Sequence, residues 1–226
     1  MTHTVRTTHG ELPLEEITLQ LAGREWSILH AGAIISRKQE DDFLRGQVEQ
    51  HLPYGSVLWP SALALAHELA ERDLTGKRVL ELGAGTGLPG AVAAARGAHV
   101  VQTDRQSLAL HLAKRNAERN GIALEQRAAD WTAWTDESTY DLIIGADILY
   151  ARELHPHLRA IFAQGREVML GDPYRAPALE LLDAMEKDGW RVTLAKYTLN
   201  DRAVGVFQLL ADDGVDVAGQ RDRVAG

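Results

Sequence analysis

The chain of 226 residues has no cysteine. This one absence excludes disulfides, thiolate nucleophiles, iron–sulfur clusters and cysteine-type zinc sites. Basic residues are in the minority, 24 against 32 acidic, giving a formal net charge of −8. Binding a phosphate backbone needs a basic footprint, so nucleic acid is not the expected partner. No apolar run approaches the roughly 18 residues of a membrane span, and no membrane partner is expected. Residues 1–16 lack an apolar signal core, which makes the cytoplasm the expected location. Gly-x-Ser-x-Gly is absent, so no serine-hydrolase elbow is readable. There is no repeat of solenoid length and no low-complexity tract. With 45 % hydrophobic and 25 % charged residues the composition is that of an ordinary globular protein. A chain of this size buries about 70 % of its unfolded surface and needs no metal or disulfide staple. Seven prolines stand against twenty glycines, and the position of those glycines is informative.

The first ten residues are polar and read as loose. Residues 14–21 alternate, with Ile17, Leu19 and Leu21 on one face, and Trp26, Ile28 and His30 continue the pattern beyond Ala22-Gly23. That is the signature of a β-hairpin. The charged residues 36–50 read as a helix, and Pro53-Tyr54-Gly55 breaks it. Pro60 and Ser61 open a second helix, extending to about residue 72, with Leu63, Ala66 and Leu69 at helical spacing. From Lys77 onward short apolar runs alternate with amphipathic segments, at 79–82, 88–96, 99–103, 108–120, 123–128, 141–146, 153–163, 167–170, 176–188, 191–196 and 204–210. This succession predicts an α/β fold, a Rossmann-like doubly wound sheet of seven mostly parallel strands with helices on both faces. The last two strands are joined by too short a link for a parallel crossover, so the last one runs antiparallel. Three regions follow: an N-terminal extension of hairpin and helix at 1–57, a main domain at 58–210, and an acidic, aperiodic tail at 211–226 that reads as disordered. No long apolar stripe is left over, and a monomer is expected.

The sharpest local feature is a buried strand, Val79-Leu80-Glu81-Leu82, that enters Gly83-Ala84-Gly85-Thr86-Gly87 and then a helix beginning at Leu88. In an open α/β sheet this strand end borders the crevice where ligands bind. Glycines let backbone approach a ligand closely, and helix-start amides face an anionic group. Asp104 ends the next strand, where a carboxylate accepts both hydroxyls of a ribose. Gly85-Thr86-Gly87-Leu88-Pro89-Gly90 also satisfies the dinucleotide pattern G-x-G-x-x-G, so an NAD-type site and a purely structural turn stay open. The frame of that pattern is wrong, because the turn begins at Gly83 and Leu88 occupies the place of its third glycine.

The spelling Glu81-Leu82-Gly83-x-Gly85-x-Gly87 resembles the first motif of the seven-strand, class I S-adenosylmethionine-dependent methyltransferases. Leu58-Trp59-Pro60-Ser61, Asp130-Trp131 and Asp147-Ile148-Leu149-Tyr150 follow the order of a subgroup, the protein-lysine methyltransferases with an Asp-x-x-Tyr motif after the fourth strand of that sheet. Gly171-Asp172-Pro173-Tyr174-Arg175 is similar to a stretch of the electron transfer flavoprotein β-subunit lysine methyltransferases. The resemblance covers roughly residues 50–210, and the first fifty residues carry no family signature. It implies S-adenosyl-L-methionine as cofactor and a lysine side chain of a protein substrate as acceptor. A small-molecule amine acceptor and a non-catalytic nucleotide-binding domain are the alternatives.

Carried onto this sequence, the resemblance implies that Glu81, Gly83, Ala84, Gly85, Gly87 and Leu88 shape the pocket for the methionine part and ribose. Asp104 would hold the ribose hydroxyls, Arg105 would flank the adenine, and Asp130 and Trp131 would border it. Trp59 would cover the cofactor, Ala146 and Asp147 would line the space facing the methyl group, and Tyr150 would close the acceptor channel. A carboxylate at Asp147 orients an ammonium, but it also raises the ammonium's pKa and so does not itself deprotonate it. Asp147 also reads as a cap for the following helix, and Tyr150 as a packed aromatic. Of Trp131 and Trp134, the first is preferred as a cofactor wall. Asp172 reads as a turn residue, or as part of the acceptor channel. His155-Pro156-His157 lacks a third ligand nearby, and no metal is expected.

Overall fold

Alternation of apolar and polar side chains decides the N-terminal strands, and continuous apolar runs decide the central ones. The structure, a computed structural model, describes residues 3–7, 10–21, 23–32, 54–199 and 201–211. Strands β1 (His3–Thr7), β2 (Gly10–Leu21) and β3 (Arg24–His30) form an antiparallel sheet in that order. The expected hairpin is β2–β3, closed by the Leu21↔Arg24 pair, with Leu19 opposite Trp26 and Ile17 opposite Ile28 on one face. Strand β1 corrects the expectation of a loose start. It pairs along β2 from His3↔Leu14 to Thr7↔Gly10, because backbone pairing asks little of side chains. Val5 is buried, and the Arg115 guanidinium donates to the Thr4 carbonyl at 2.8 Å. The helix expected at 36–50 lies outside the described residues.

Tyr54–Ser56 form a 3-10 turn that leads into α1 (Pro60–Ala70). Pro60 sits in the first turn, where a missing N–H costs nothing. The chain then alternates through β4 (Arg78–Leu82), α2 (Leu88–Ala95), β5 (His99–Asp104), α3 (Ser107–Arg119), β6 (Glu125–Ala128), β7 (Tyr140–Ala146), α4 (His155–Phe162), β8 (Gly165–Asp172), α5 (Ala176–Lys187), β9 (Trp190–Leu199) and β10 (Arg202–Ala211). Ala211, assigned to the tail on sequence, is the last residue of β10 and pairs with Trp190. Residues 212–226 lie outside the description.

The seven strands lie in the order β6-β5-β4-β7-β8-β10-β9. Pairings among β6, β5, β4, β7 and β8 are parallel, and β10 runs antiparallel to both of its neighbours. The tight β9–β10 link forces this, and β10 inserts between β8 and β9. The chain leaves β4 toward β5 on one side and returns to β7 on the other. The carboxyl ends of β4 and β7 therefore flank a topological switch point, the place where such sheets open a ligand crevice.

Successive residues of β4 face opposite layers. Val79 joins α1 and α2 through Leu65, Leu69, Leu88 and Val92. Leu80 and Leu82 join α4 and α5 through Leu158, Phe162, Leu181 and Met185. Burial on both faces explains why the central strands read as unbroken apolar runs. Trp26 and Ile28 of β3 belong to the first of these layers, so the N-terminal sheet shares the core of the main domain. No helix among the described residues is long and apolar enough to cross a membrane. Trp26 is 1 % exposed, and Trp26→Ala is expected to lower global stability by about 3–5 kcal/mol in a single denaturant transition. A main transition left in place would show the N-terminal sheet to be a separate appendage.

Candidate active site

The loop after β4 is shaped by three glycines in the left-handed region, Gly83 (φ 65°), Gly85 (φ 56°) and Gly87 (φ 78°). Any other residue would be strained there. Space adds a second reason. A Cβ on Gly83 would lie 2.9 Å from Ile148 Cγ2 and 3.3 Å from the Trp131 ring, and one on Gly87 would lie 2.7 Å from Ala113 Cβ. Gly87 precedes α2 directly, which places Pro89 in the first helical turn, where it is well tolerated.

Buried polar groups fasten this loop from beneath. The Gly85 amide donates to Asp104 Oδ2 at 3.2 Å, and Gln102 Nε2 donates to the Gly87 carbonyl at 2.9 Å. Gln102 Nε2 also donates to Glu81 Oε2 at 2.7 Å, and Glu81 Oε1 accepts from the Gly90 amide at 3.1 Å. Glu81 thus acts under the loop, tying it to α2 and β5. Burial pushes its carboxyl up to about 8, against the pull of the Gln102 and Gly90 hydrogen bonds. Leu88 is fully buried in the core, and the buried Ala84 donates its amide to the Thr103 carbonyl at 2.9 Å.

Asp104 ends β5 beside the loop. Burial raises its pKa, while the Gln106 and Gly85 amides lower it. Arg105 follows it, exposed. From the N-terminal side, the Gly55 carbonyl approaches Gly85 and lies 3.5 Å from where a Cβ there would be. Trp59 steadies this roof: its indole donates to the Tyr54 carbonyl at 3.2 Å and its ring lies parallel to Tyr54 at 6.4 Å. Across the loop, Asp130 is exposed and caps the turn Trp131–Ala133, accepting from the Thr132 amide and hydroxyl at 2.9 and 2.8 Å. Those bonds hold its pKa below the usual range. The two tryptophans are placed differently. Trp131 packs against Gly83, whereas Trp134 is anchored away from it by a 3.1 Å bond to Gln164 Oε1.

A second cluster sits at the ends of β7 and β8. After Ala146, Asp147 takes a left-handed conformation (φ 57°) and donates its amide to the Gly171 carbonyl at 2.9 Å. Arg175 Nη1 bridges Asp147 Oδ1 at 2.6 Å and Asp172 Oδ2 at 3.1 Å, and the Arg175 amide donates to Asp172 Oδ1 at 2.7 Å. Burial raises both carboxyls against the Arg175 charge, Asp172 to about 6. Asp147 Oδ2 and the Ser61 hydroxyl are buried without a well-aligned hydrogen bond, yet the Ser61 hydroxyl and amide lie near enough to lower the Asp147 pKa. Asp147 is not a helix cap, because the turn Arg152–Leu154 starts at Ala151 without a side-chain cap. Asp172 is more than a turn residue, being one end of this ion-paired triad. Tyr150 is not a packed aromatic: its side chain is 53 % exposed.

Sequence reasoning missed Arg175, Ser61, Ile148 and Gln102 as site-shaping residues, and with them Asn116, whose side-chain amide donates to the Thr86 carbonyl of the loop at 2.9 Å. Arg175 ends the Gly-Asp-Pro-Tyr-Arg stretch. Gln102 and Asn116 gave no signal, since a buried polar residue declares itself only through its partners. Among the described residues no three histidine or carboxylate side chains are placed to hold a metal ion.

The Glu81 shift makes a pH prediction. The unfolded residue titrates near its ordinary 4.5 and the folded one near 8, so the folded chain keeps a proton that the unfolded chain has lost. The associated stability is complete below the lower value and is lost as pH rises through the upper one. Glu81→Gln, neutral throughout, is expected to lose less stability than the parent between pH 5 and pH 8 in urea unfolding. Equal losses would show that Glu81 is ionised in the folded protein.

A model of the lysine methyltransferase family matches residues 38–167. Protein N-lysine methyltransferase METTL21A of Danio rerio is 41 % identical over 119 residues, 48 % of this chain and 54 % of the relative. Histone-arginine methyltransferase METTL23 of Mus musculus is 33 % identical over 112 residues, 46 % of this chain and 44 % of the relative. The chain spans about half the length of the curated relatives it matches. Among solved structures, magnesium protoporphyrin IX methyltransferase (ChlM) of Synechocystis PCC 6803 with bound SAM superposes with a TM-score of 0.58 at 15 % identity, over 78 % of this chain and 92 % of that one. That likeness establishes the seven-strand methyltransferase fold. The matched residues include the glycine loop, the Asp104 strand end and the Asp147 turn, and the chain belongs to the lysine methyltransferase family.

Proposed function

We propose that the protein is an S-adenosylmethionine-dependent methyltransferase acting on a lysine amine of a protein substrate. The observation that carries this reading is the pairing of two features across one switch point. One is a glycine cradle too tight for any Cβ at Gly83 and Gly87. The other is a buried carboxylate, Asp147, one of whose oxygens makes no well-aligned hydrogen bond, at the next strand end. The cradle fits a cofactor with an α-amino acid arm, and the carboxylate fits a cationic acceptor.

When bound, the cofactor supplies an electrophilic methyl group on a sulfonium with a good leaving group. The protein's task is then alignment and exclusion of water. In this reading the Gly83–Gly87 backbone holds the methionine arm and Asp104 takes the ribose hydroxyls. Trp131, Asp130 and Arg105 surround the adenine, and the Trp59–Tyr54 pair covers the site. Asp147 orients the acceptor nitrogen. A carboxylate raises the pKa of a bound ammonium, so Asp147 does not itself take the proton, which leaves to water or through Tyr150, an exposed side chain three residues on. Burial raises the Asp147 pKa, and the Arg175 guanidinium 2.6 Å away opposes that rise. A monomer suits the few and scattered large apolar side chains exposed among the described residues, Tyr54, Tyr150, Leu179 and Leu194.

The METTL23 relative, a histone-arginine methyltransferase by name, favours arginine as the second reading of the acceptor. Incubation with methyl-labelled S-adenosylmethionine and cell extract is expected to label protein, and hydrolysis of that protein should release methyl-lysine. Methyl-arginine would support the second reading, and label confined to small molecules would overturn a protein acceptor altogether. Asp104→Ala is expected to weaken S-adenosylhomocysteine binding by about 1–3 kcal/mol in calorimetry. Asp147→Asn should lower turnover on the order of 10²-fold while leaving that affinity nearly unchanged. Full activity in Asp147→Asn would remove the residue from the acceptor site.

A further inference from the structure

Helix α3 meets strand β3 through two asparagines one helical turn apart, Asn116 within the helix and Asn120 at its C-cap. Asn116 Oδ1 accepts from the Leu29 amide at 2.8 Å, and its Nδ2 donates to the Leu29 carbonyl at 3.0 Å. Asn120 repeats this at Ser27, accepting from the amide at 3.0 Å and donating to the carbonyl at 2.8 Å. Each carboxamide makes the pair of bonds that a residue on a neighbouring strand would make. The spacing allows it, because four residues of helix rise about 6 Å and two residues of strand advance about 6.7 Å. The face of α3 thereby completes the free edge of β3 as a further strand would.

Asn116 does one thing more. Its Nδ2 also donates to the Thr86 carbonyl at 2.9 Å, in the middle of the glycine loop. Asn116 has no exposed surface and Thr86 is buried as well. One buried amide group therefore holds a carbonyl of the N-terminal sheet and a carbonyl of the loop together. Asn120 holds the same strand but makes no bond to the loop; its other donor contact is the Asn116 carbonyl at 2.7 Å.

We propose that Asn116 is a positioning residue for the cofactor loop, and that through it the docking of the N-terminal sheet and cofactor binding are coupled. The inference rests on the cofactor reading given above. Coupling of this kind is reciprocal. A docked β3 orients Asn116 and pins Thr86, and a ligand that orders the loop tightens the sheet.

The test uses the full chain with S-adenosylhomocysteine as probe. In the parent protein, saturating probe should slow amide exchange at Leu29 as well as in the Gly83–Gly87 loop, with the β9 edge unchanged. Asn116→Ala and Asn120→Ala should both lower Tm. Asn116→Ala should raise the Kd for the probe by about tenfold, because a buried carbonyl of the loop is left unpaired, and Asn120→Ala, which loosens only the sheet, should raise it clearly less. Lower Tm with unchanged Kd in both variants, or an equal rise in Kd in both, would overturn the positioning role. Protection confined to the loop would overturn the coupling, and this measurement stands even where Asn116→Ala does not fold. A parent protein that fails to bind the probe is a different result, overturning the cofactor reading and this inference with it.

Discussion

The backbone of residues 83–87 is the constraint around which the rest of the molecule is arranged. A chain leaving a buried parallel strand and entering a helix within five residues needs repeated left-handed conformations, and the glycines at 83, 85 and 87 supply them. Such a loop has little side-chain packing of its own. It is held instead by polar groups on neighbouring elements: Asp104 at Gly85, Asn116 at Thr86, Gln102 at Gly87 and Glu81 at Gly90. These groups are buried, so each depends on its partner to offset desolvation. Glu81 shows the cost plainly, its carboxyl being pushed up to about 8.

The opposite wall of the crevice stores strain. The described non-glycine residues with positive φ are Asp147 and Tyr174, one at the end of β7 and one just after β8. Both lie next to the Arg175 ion pairs, and left-handed conformations of this sort persist where surrounding contacts over-determine them. The 2.6 Å bond between Arg175 and Asp147, with Asp172 on the other side of the guanidinium, supplies that determination. Asp147 Oδ2 is buried without a well-aligned hydrogen bond. A packed polar network with one open valence is the arrangement expected of a binding site rather than of a core.

Much of the architecture was legible along the chain. Apolar runs bounded by helical segments gave the seven strands, and the short link between the last two gave the antiparallel β10. Ile17, Leu19, Trp26 and Ile28 marked the β2–β3 hairpin by their alternation. The glycine spacing marked the candidate site, and Asp104 and Trp131 do come to lie beside it. Strand β1 was missed because its pairing is carried by backbone groups, which are the same in every residue. Leu88 reads as part of the motif but packs in the core, since motif spelling does not distinguish a residue that faces a ligand from one that supports the loop.

What the sequence by itself determined is the local chemistry: where the chain must turn, which segments are amphipathic, and which strand ends carry carboxylates. Those properties follow from backbone sterics and side-chain polarity over a few residues. Only the tertiary structure decided which polar groups meet. Asn116 is 87 residues from Leu29 and 30 from Thr86, and Arg175 is 28 from Asp147. No local rule encodes such pairings, because a buried hydrogen bond exists only once two distant segments have packed and water has been removed between them.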